Sequence, residues 1–321
     1  MIKAVIAIHG GAGAITRAAM SAEKEQQYRQ ALLDIVTTGQ RMLAQGATAL
    51  DAVTEAVRLL EECPLFNAGK GAVFTHQGTH ELDACVMDGR TLKAGAVAGV
   101  SRLRNPVLAA RKVLDASPHV LLTGEGAETF ALTHGIEQVD PAFFSTPERW
   151  EQLQRALRSD ETLLDHDGAA QTHSDEPIDP DRKLGTVGAV ALDQLGNLAA
   201  ATSTGGMTNK QAGRVGDSPL PGAGCYAANN TVAVSCTGTG EVFIRALAAY
   251  DVAAQMRYGG HSLQQACVNV IHDTIPELEG SGGLIAVDHF GNVALPFNSE
   301  GMYRGVARVD EEAEVAIYRD S

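Results

Sequence analysis

The chain of 321 residues is 45% hydrophobic and 20% charged, which is typical of a globular protein and excludes disordered, collagen-like and coiled-coil chains. Its formal net charge of −14 would repel phosphate backbones and no apolar run is long enough to span a membrane, so we expect neither a nucleic-acid nor a membrane partner. Its five cysteines lack the C-x-x-C spacing of a zinc site, which predicts reduced thiols in a cytoplasmic protein.

The first half of the chain contains both strand and helix patterns. Residues 3–9 predict a buried strand, and the glycines at 10–13 that follow it predict a sharp turn. Apolar periodicity predicts helices over 21–45 and, with Thr48 as the cap, over 49–61. Further strands are predicted at 72–75, 81–87, 94–100 and 119–122, and further helices at 106–116 and 125–132.

An acidic segment separates the two halves. Regular patterning ends after Trp150, and residues 158–183 include eight Asp or Glu residues interrupted by Pro177 and Pro180. High charge without apolar periodicity is typical of a linker. We therefore predict a flexible acidic linker over 158–185.

The second half contains the same hairpin pattern twice. Strands predicted at 185–193 and 198–203 flank one glycine turn, and strands at 284–288 and 293–297 flank another. Between the hairpins lie a glycine-rich loop at 205–224, a strand at 231–237 and helices at 241–256 and 262–275. Antiparallel hairpins flanked by helices predict an α+β fold with the helices outside the sheets.

The glycines after the first strand allow one reading as a dinucleotide site. A strand followed by Gly11-x-Gly13 and a helix could bind a pyrophosphate. However, Thr16 stands where a third glycine is expected, and the chain lacks alternating βαβ units. A tight turn that needs positive φ explains the glycines without any ligand, so the dinucleotide site is kept only as the weaker alternative.

The junction at Thr186 suggests a second chemistry. The acidic linker ends at Gly185, and a buried strand begins at once. A threonine hydroxyl is a weak nucleophile, but an N-terminal threonine carries its own base in its α-amine. This chemistry requires cleavage between Gly185 and Thr186; the alternative is a β-branched residue that merely opens a strand.

Seven motifs occur in one order along the chain. Together they resemble the plant-type (type III) L-asparaginase/isoaspartyl peptidase family of N-terminal-nucleophile (Ntn) hydrolases, across nearly the whole chain except the linker and the tail after about residue 305. The motifs are His9-Gly10-Gly11-Ala12-Gly13, Asn67-Ala68-Gly69-x-Gly71, Leu82-Asp83-Ala84, the run 185–191, Thr202-Ser203-Thr204-Gly205-Gly206, the run 213–219 and Thr237-Gly238-x-Gly240-Glu241.

This resemblance implies a single domain over 1–321 with a four-layer αββα sandwich. It implies an inactive precursor in which Thr186 attacks the carbonyl of Gly185. The products would be an alpha subunit, 1–185, and a beta subunit, 186–321, that begins with the nucleophile. The family assembles as a homodimer of cleaved units, a heterotetramer, and the resemblance implies the same here.

The resemblance also implies the catalytic residues. Thr186 would be the nucleophile, and Thr204 would hydrogen-bond to it. Thr237 and Gly238 would form the oxyanion hole, and Asn67 would lie close to the nucleophile. Without the family, these residues read as strand-end, turn and loop positions.

Arg214 and Asp217 also suggest a substrate from their chemistry. A guanidinium binds a carboxylate bidentately, and a nearby carboxylate can hold an ammonium group. Such a pair would bind the head group of an α-amino acid, although a surface ion pair is the alternative. The family pattern adds Thr237, Gly238 and Gly240 to the substrate-binding residues.

The resemblance implies no cofactor for the chemistry, but it implies a structural sodium ion. Hard oxygen ligands suit such a cation. Lys70 departs from the apolar residue usual in the family, and its ammonium could weaken cation binding. A plain proline-containing loop is the alternative. The ligands would be the main-chain carbonyls of Leu60, Glu61, Cys63, Phe66, Ala68 and Lys70.

We therefore expect a self-cleaving threonine hydrolase acting on small-molecule substrates. It would hydrolyse isoaspartyl (β-aspartyl) dipeptides and the side-chain amide of L-asparagine, releasing aspartate. One alternative is a glycosylasparaginase-like amidohydrolase. Another, of a different class, is a dinucleotide- or amino-acid-binding protein without hydrolase activity.

Overall fold

The computed structural model describes residues 3–159 and 185–319. These residues form two sheets of mostly antiparallel strands with flanking helices. The strands are β1 Val5–Gly13, β2 Leu82–Asp88, β3 Ala94–Val100, β4 Leu121–Thr123, β5 Val187–Leu192, β6 Leu198–Thr204, β7 Cys225–Ala227, β8 Val232–Gly238, β9 Gly282–Asp288, β10 Val293–Ala294, β11 Gly301–Arg308 and β12 Glu314–Tyr318. The helices are α1 Ala22–Ala44, α2 Ala49–Glu62, α3 Pro106–Ala116, α4 Gly124–Thr133, α5 Pro147–Ser159, α6 Gly240–Ala246, α7 Ala248–Gly259, α8 Leu263–Val268 and α9 Ile275–Glu277.

The strands form one large sheet and one small sheet. The large sheet has the order β12-β11-β1-β5-β6-β2-β3-β4, and the small sheet has the order β10-β9-β8-β7. Neighbouring strands are antiparallel except β3 and β4, which are parallel. The prediction of hairpin-built, antiparallel sheets is therefore confirmed.

The two sheets pack face to face, and helices cover both outer faces. Along β1, Ile6 and Ile8 point to the core beneath α1 and α2, whereas Val5 and Ala7 point to the core shared with β9. This alternation is what a strand buried on both faces requires, because successive side chains point to opposite sides. A third core lies between the small sheet and the helices α6 to α9. The predicted four-layer αββα sandwich is confirmed.

Hydroxyl caps hold the first two helices in place, and the cap predicted at Thr48 is present. The Ser21 hydroxyl accepts a hydrogen bond from the Lys24 N–H at 3.2 Å, and the Thr48 hydroxyl accepts one from the Asp51 N–H at 3.1 Å. Such caps satisfy donors that the first turn leaves unpaired, each contributing about 1 kcal/mol. Among the described helices, none has the length and apolar sequence needed to cross a membrane.

The predicted turn at residues 10–13 is wrong. Strand β1 continues to Gly13 and pairs with β11, with a register shift between His9 and Gly11. The glycines serve close packing inside the strand: a Cβ at Gly10 would lie 2.3 Å from the Phe66 ring. The segment does not turn from a strand into a helix, so the dinucleotide-binding interpretation is wrong as well.

Other elements differ in their limits. Residues 72–75 form no strand, and the predicted helix at 241–256 is interrupted at Leu247, whose φ is +49°. The predicted helix at 262–275 becomes π-helical at Asn269–Thr274. Strands β7, β11 and β12 and helix α5 were not predicted. Almost all of the predicted linker, from residue 160 to 184, lies outside the described residues.

Candidate active site

Three hydroxyl groups meet where β5 begins. Thr186 immediately precedes this central strand, and its side chain is 7% exposed. Its hydroxyl donates to the Thr204 oxygen at 3.2 Å and lies 3.2 Å from the Ser218 oxygen. The pocket here is lined by Thr186, Thr204, Gly206, Met207, Arg214, Gly216, Asp217, Ser218, Gly238 and Gly240.

Thr204 ends β6, beside the start of β5. Its oxygen accepts a second hydrogen bond, from the Gly206 N–H at 2.9 Å. The Thr186 hydroxyl and the Gly206 N–H therefore both donate to the Thr204 oxygen and hold it in place. The structure brings together the two threonines that the sequence pairs.

The bulge in β1 lies directly against the residue before Thr186. Gly11 has a φ of +109°, and a Cβ there would lie 2.6 Å from the nitrogen and 2.8 Å from the oxygen of Gly185. Any larger residue would therefore collide with the Gly185 backbone. The glycine allows two stretches of backbone to approach at the predicted cleavage site.

Asn67 is fully buried next to this site. Its side-chain amide donates to the Gly206 carbonyl at 2.7 Å and accepts from the Val73 N–H at 3.0 Å. Its main-chain carbonyl accepts from the Gly205 N–H at 3.1 Å. These hydrogen bonds hold the loop that follows Thr204, so Asn67 reaches the nucleophile's surroundings through that loop.

The predicted oxyanion pair lies at the end of β8. Gly238 lines the pocket, whereas the Thr237 side chain is fully buried outside its lining. The Thr237 hydroxyl accepts a hydrogen bond from the Ala12 N–H at 3.3 Å. Its own proton is therefore free to point to another acceptor.

Arg214 is paired with a residue that the sequence analysis left without a role. Its Nε and Nη2 each donate to a different Glu241 carboxylate oxygen at 2.8 Å. The hydrogen bond from Arg214 lowers the pKa of Glu241. A Cβ at Gly240 would lie 2.7 Å from Nη2, so the glycine leaves room for the guanidinium at the pocket wall.

Asp217 lies in the same wall and is buried. Burial raises the pKa of its carboxyl group to about 7, against the opposing effect of the Arg214 charge. Its Oδ2 atom is buried and has no hydrogen-bond partner in the described part of the chain. An unpaired buried carboxylate oxygen is costly, and an ammonium group would satisfy it.

The predicted sodium loop begins in the last turn of α2, and two of its glycines lie close to main-chain carbonyls. A Cβ at Gly69 would lie 2.4 Å from the Glu61 oxygen, and one at Gly71 would lie 2.8 Å from the Phe66 oxygen. The Glu61 oxygen accepts a hydrogen bond from the Lys70 N–H at 2.7 Å. The Lys70 ammonium points elsewhere, 5.8 Å from the centre of the Phe143 ring. Within the described ranges, no group of His, Cys, Asp and Glu side chains is placed to hold a metal.

The side chain of Glu61 links this loop to β6, the strand that ends at Thr204. Its Oε1 accepts from the Ser203 hydroxyl at 2.6 Å and from the Val107 N–H at 2.9 Å. Burial raises the pKa of this carboxyl group to about 8. From the sequence, only the main-chain carbonyl of Glu61 was a candidate ligand, because no local pattern reveals the contacts of its side chain with Ser203 and Val107.

Ser218 is the clearest site residue that the sequence analysis missed. It belongs to a motif quoted above, but we assigned roles there only to Arg214 and Asp217. A hydroxyl directly after a predicted ligand was the available signal. Its contact with Thr186 depends on the path of the glycine-rich loop, which periodicity does not predict.

The sandwich and its buried threonine at a strand start are those of an Ntn-type hydrolase, and comparisons with known proteins identify the family. A family profile described as "Asparaginase" matches residues 2–317. The chain therefore belongs to the asparaginase family, and the match extends past residue 305, where we expected the resemblance to end.

Individual relatives agree with this assignment. The chain is 67% identical over 320 residues to a protein of Salmonella typhimurium named isoaspartyl peptidase, covering 100% of both chains. It is 68% identical to an isoaspartyl peptidase of Escherichia coli, covering 98% of that protein. A protein of Danio rerio named isoaspartyl peptidase/L-asparaginase is 40% identical, covering 92% of this chain and 89% of that protein.

Proposed function

We propose that the chain is an autoproteolytically activated threonine hydrolase for isoaspartyl dipeptides and L-asparagine, releasing aspartate. The names of its full-length relatives support this activity. The observation that carries the proposal is the hydroxyl pair of Thr186 and Thr204 in one pocket with Arg214 and Asp217.

Activation uses the same hydroxyl as the later hydrolysis. The Thr186 oxygen attacks the Gly185 carbonyl carbon, the peptide C–N bond breaks, and the proton moves to the departing amine. Water then hydrolyses the resulting ester, which ends the alpha subunit at the Gly185 carboxylate and restores the Thr186 hydroxyl beside its new free amine. The close contact between Gly11 and Gly185 supports this site of cleavage.

Hydrolysis begins when the substrate head group binds. Arg214 binds the α-carboxylate and Asp217 binds the ammonium group. The Thr186 amine then takes the proton from its own hydroxyl, whose oxygen attacks the β-carbonyl. The Gly238 N–H and the Thr237 hydroxyl stabilise the oxyanion. The amine or ammonia leaves with a proton, and water hydrolyses the acyl-enzyme to aspartate.

The remaining proposals concern the surroundings of this reaction. The main-chain carbonyls predicted as ligands, among them those of Glu61 and Phe66, would hold a sodium ion and stiffen the loop that carries Asn67. The cleaved units would form a homodimer, as the family resemblance implies. The free cysteines support a reducing, cytoplasmic location.

A denaturing gel and N-terminal sequencing test the proposal. The purified protein should give two fragments that meet at residues 185 and 186, and the smaller should begin Thr-Val-Gly-Ala-Val. It should release aspartate from both an isoaspartyl dipeptide and asparagine. Thr186→Ala should remain one uncut, inactive chain. A single intact wild-type band and no aspartate would overturn the proposal, and hydrolysis of glycosylated asparagine alone would point to the glycosylasparaginase alternative.

A further inference from the structure

A buried lysine lies behind the pocket, outside the chemistry described so far. The Lys210 side chain is 1% exposed, and its ammonium donates to the Glu81 carbonyl at 2.7 Å. Burial lowers the pKa of Lys210, while the nearby Asp83 charge opposes that shift. Because burying a charge is costly, a lysine at this position requires an explanation.

Lys210 fills the space beneath Gly206. Gly206 has a φ of +80°, and a Cβ there would lie 2.7 Å from the lysine Nζ and 2.9 Å from its Cδ. The Gly206 N–H is the donor that holds the Thr204 oxygen, and its carbonyl accepts from Asn67. The lysine therefore supports the peptide group that orients the nucleophile's partner.

The Lys210 ammonium contacts Glu81, which directly precedes β2 in the predicted alpha subunit. The Glu81 carbonyl accepts from Lys210, and the Glu81 side chain accepts from the Gly213 N–H at 2.8 Å. Gly213 directly precedes Arg214. Glu81 thus fixes the glycine-rich loop at two points, one behind Thr204 and one beside the substrate-binding arginine.

Asp83 adds a nearby negative charge: its Oδ1 accepts from the Gly99 N–H at 2.8 Å, and its Oδ2 has no hydrogen-bond partner in the described part of the chain. Asp83 is fully buried and lies opposite Thr204 in the β2–β6 register. Burial raises the pKa of Asp83, and the Lys210 charge is the largest opposing effect, followed by the Gly99 N–H hydrogen bond and the Arg214 charge, while Glu81 adds to the rise. The lysine and the aspartate therefore each reduce the cost of burying the other.

We infer that Lys210 is a positioning residue for the hydrolysis, which holds Gly206 and hence the Thr204 hydroxyl in place against Thr186, in a buried environment that also contains Asp83. This inference rests on the proposed function. It assigns the lysine no contact with substrate. Its loss should therefore affect the rate of bond breaking more than the binding of substrate.

Lys210→Met tests the inference, because it keeps the length of the side chain and removes the ammonium. Since misplacement of a reacting group by about 1 Å can cost about 100-fold, we expect kcat to fall about 10- to 100-fold while KM changes less than about 3-fold. Self-cleavage should slow in parallel. Lys93→Met, at an exposed position, is the matched control and should change neither constant.

A cycle with Asp83→Asn separates the charge pair from simple packing. In Lys210→Met the Asp83 carboxyl would hold its proton when folded but ionise when unfolded, so stability should fall as pH rises above the ordinary carboxyl pKa. The melting temperature should drop further below that of the wild type between pH 5 and pH 8. The double variant should lose this pH dependence and regain part of kcat, and it is the variant to use if Lys210→Met fails to fold.

Three results would overturn the inference. One is a Lys210→Met enzyme with wild-type kcat, another is a change confined to KM, and the third is an additive cycle with Asp83→Asn. If the wild type itself neither cuts nor hydrolyses, the proposed function fails instead. The pH-dependent melting cycle still tests the Lys210–Asp83 pair in that case.

Discussion

Replacing Thr204 by valine removes one oxygen while keeping the branched shape that fits the end of β6. That oxygen accepts from the Thr186 hydroxyl at 3.2 Å and from the Gly206 N–H at 2.9 Å. Losing two hydrogen bonds costs about 1 kcal/mol each, and a buried N–H left unpaired costs about 1–3 kcal/mol. We expect the variant to fold with a melting temperature a few degrees lower.

The substitution should also slow the reaction. Without its partner, the Thr186 hydroxyl keeps only its contact with Ser218 among the described hydroxyls, and it can rotate away from the substrate. Losses of one oriented hydrogen-bonding group in an active site reach about 100-fold, or about 2.7 kcal/mol. We therefore expect self-cleavage and aspartate release to fall by about that factor in Thr204→Val.

Ser218→Ala provides the comparison for this measurement. It removes a single hydroxyl neighbour of Thr186, at 3.2 Å, so one hydrogen bond of about 0.5–1.5 kcal/mol is at stake. That corresponds to a loss of about 2- to 10-fold. Cleavage is followed on denaturing gels and hydrolysis by aspartate release. A folded Thr204→Val enzyme within about threefold of the wild type, or one more active than Ser218→Ala, would refute the role assigned to Thr204.

Three further outcomes follow from the site. Arg214→Lys keeps the charge but loses the two-pronged contact, so KM should rise about 10-fold while self-cleavage continues; unchanged kinetics would remove Arg214 from the site. Because burial raises the pKa of Asp217 to about 7, the carboxylate forms as pH rises through 7, so KM should fall between pH 6 and pH 8. Below about pH 7 the Asp217 carboxyl keeps its proton in the folded protein but not in the unfolded chain, so the free energy of unfolding should decline from about pH 4 to pH 7. A KM that does not change with pH, with Asp217→Asn as the control, would contradict the assignment of Asp217 to the substrate ammonium group. Replacing sodium chloride by tetramethylammonium chloride at equal ionic strength should lower the melting temperature, and equal melting curves would argue against a sodium site.

The sequence predicted helices outside antiparallel sheets because hairpin and helix patterns are local signals. Thr48, for example, carries cap chemistry that works within one helical turn, and that cap is present. The pairing of Thr186 with Thr204, by contrast, could be predicted only from the ordered motifs of a family. Periodicity alone would have left Thr186 as the first residue of an ordinary strand.

The errors lie where distant parts of the chain decide the local conformation. Gly10 and Gly11 suggest a turn by composition, but pairing with the distant strand β11 continues β1 through to Gly13. Leu247 carries no local signal for a left-handed conformation, yet it separates α6 from α7. Glu241 likewise gained its role only when the fold brought Arg214 within reach.

The strand order of the large sheet has a consequence for the two fragments. Strand β1 lies between β11 and β5, and β6 lies beside β2, so segments from either side of residue 185 are interleaved across three borders. Neither fragment has a complete large sheet by itself, and neither can leave without breaking those borders. Cutting the chain would therefore create a new amino group without creating two separable bodies. The two fragments should unfold together in one transition and should not dissociate on dilution. Fragments that are prepared separately should not assemble into the native fold when they are mixed.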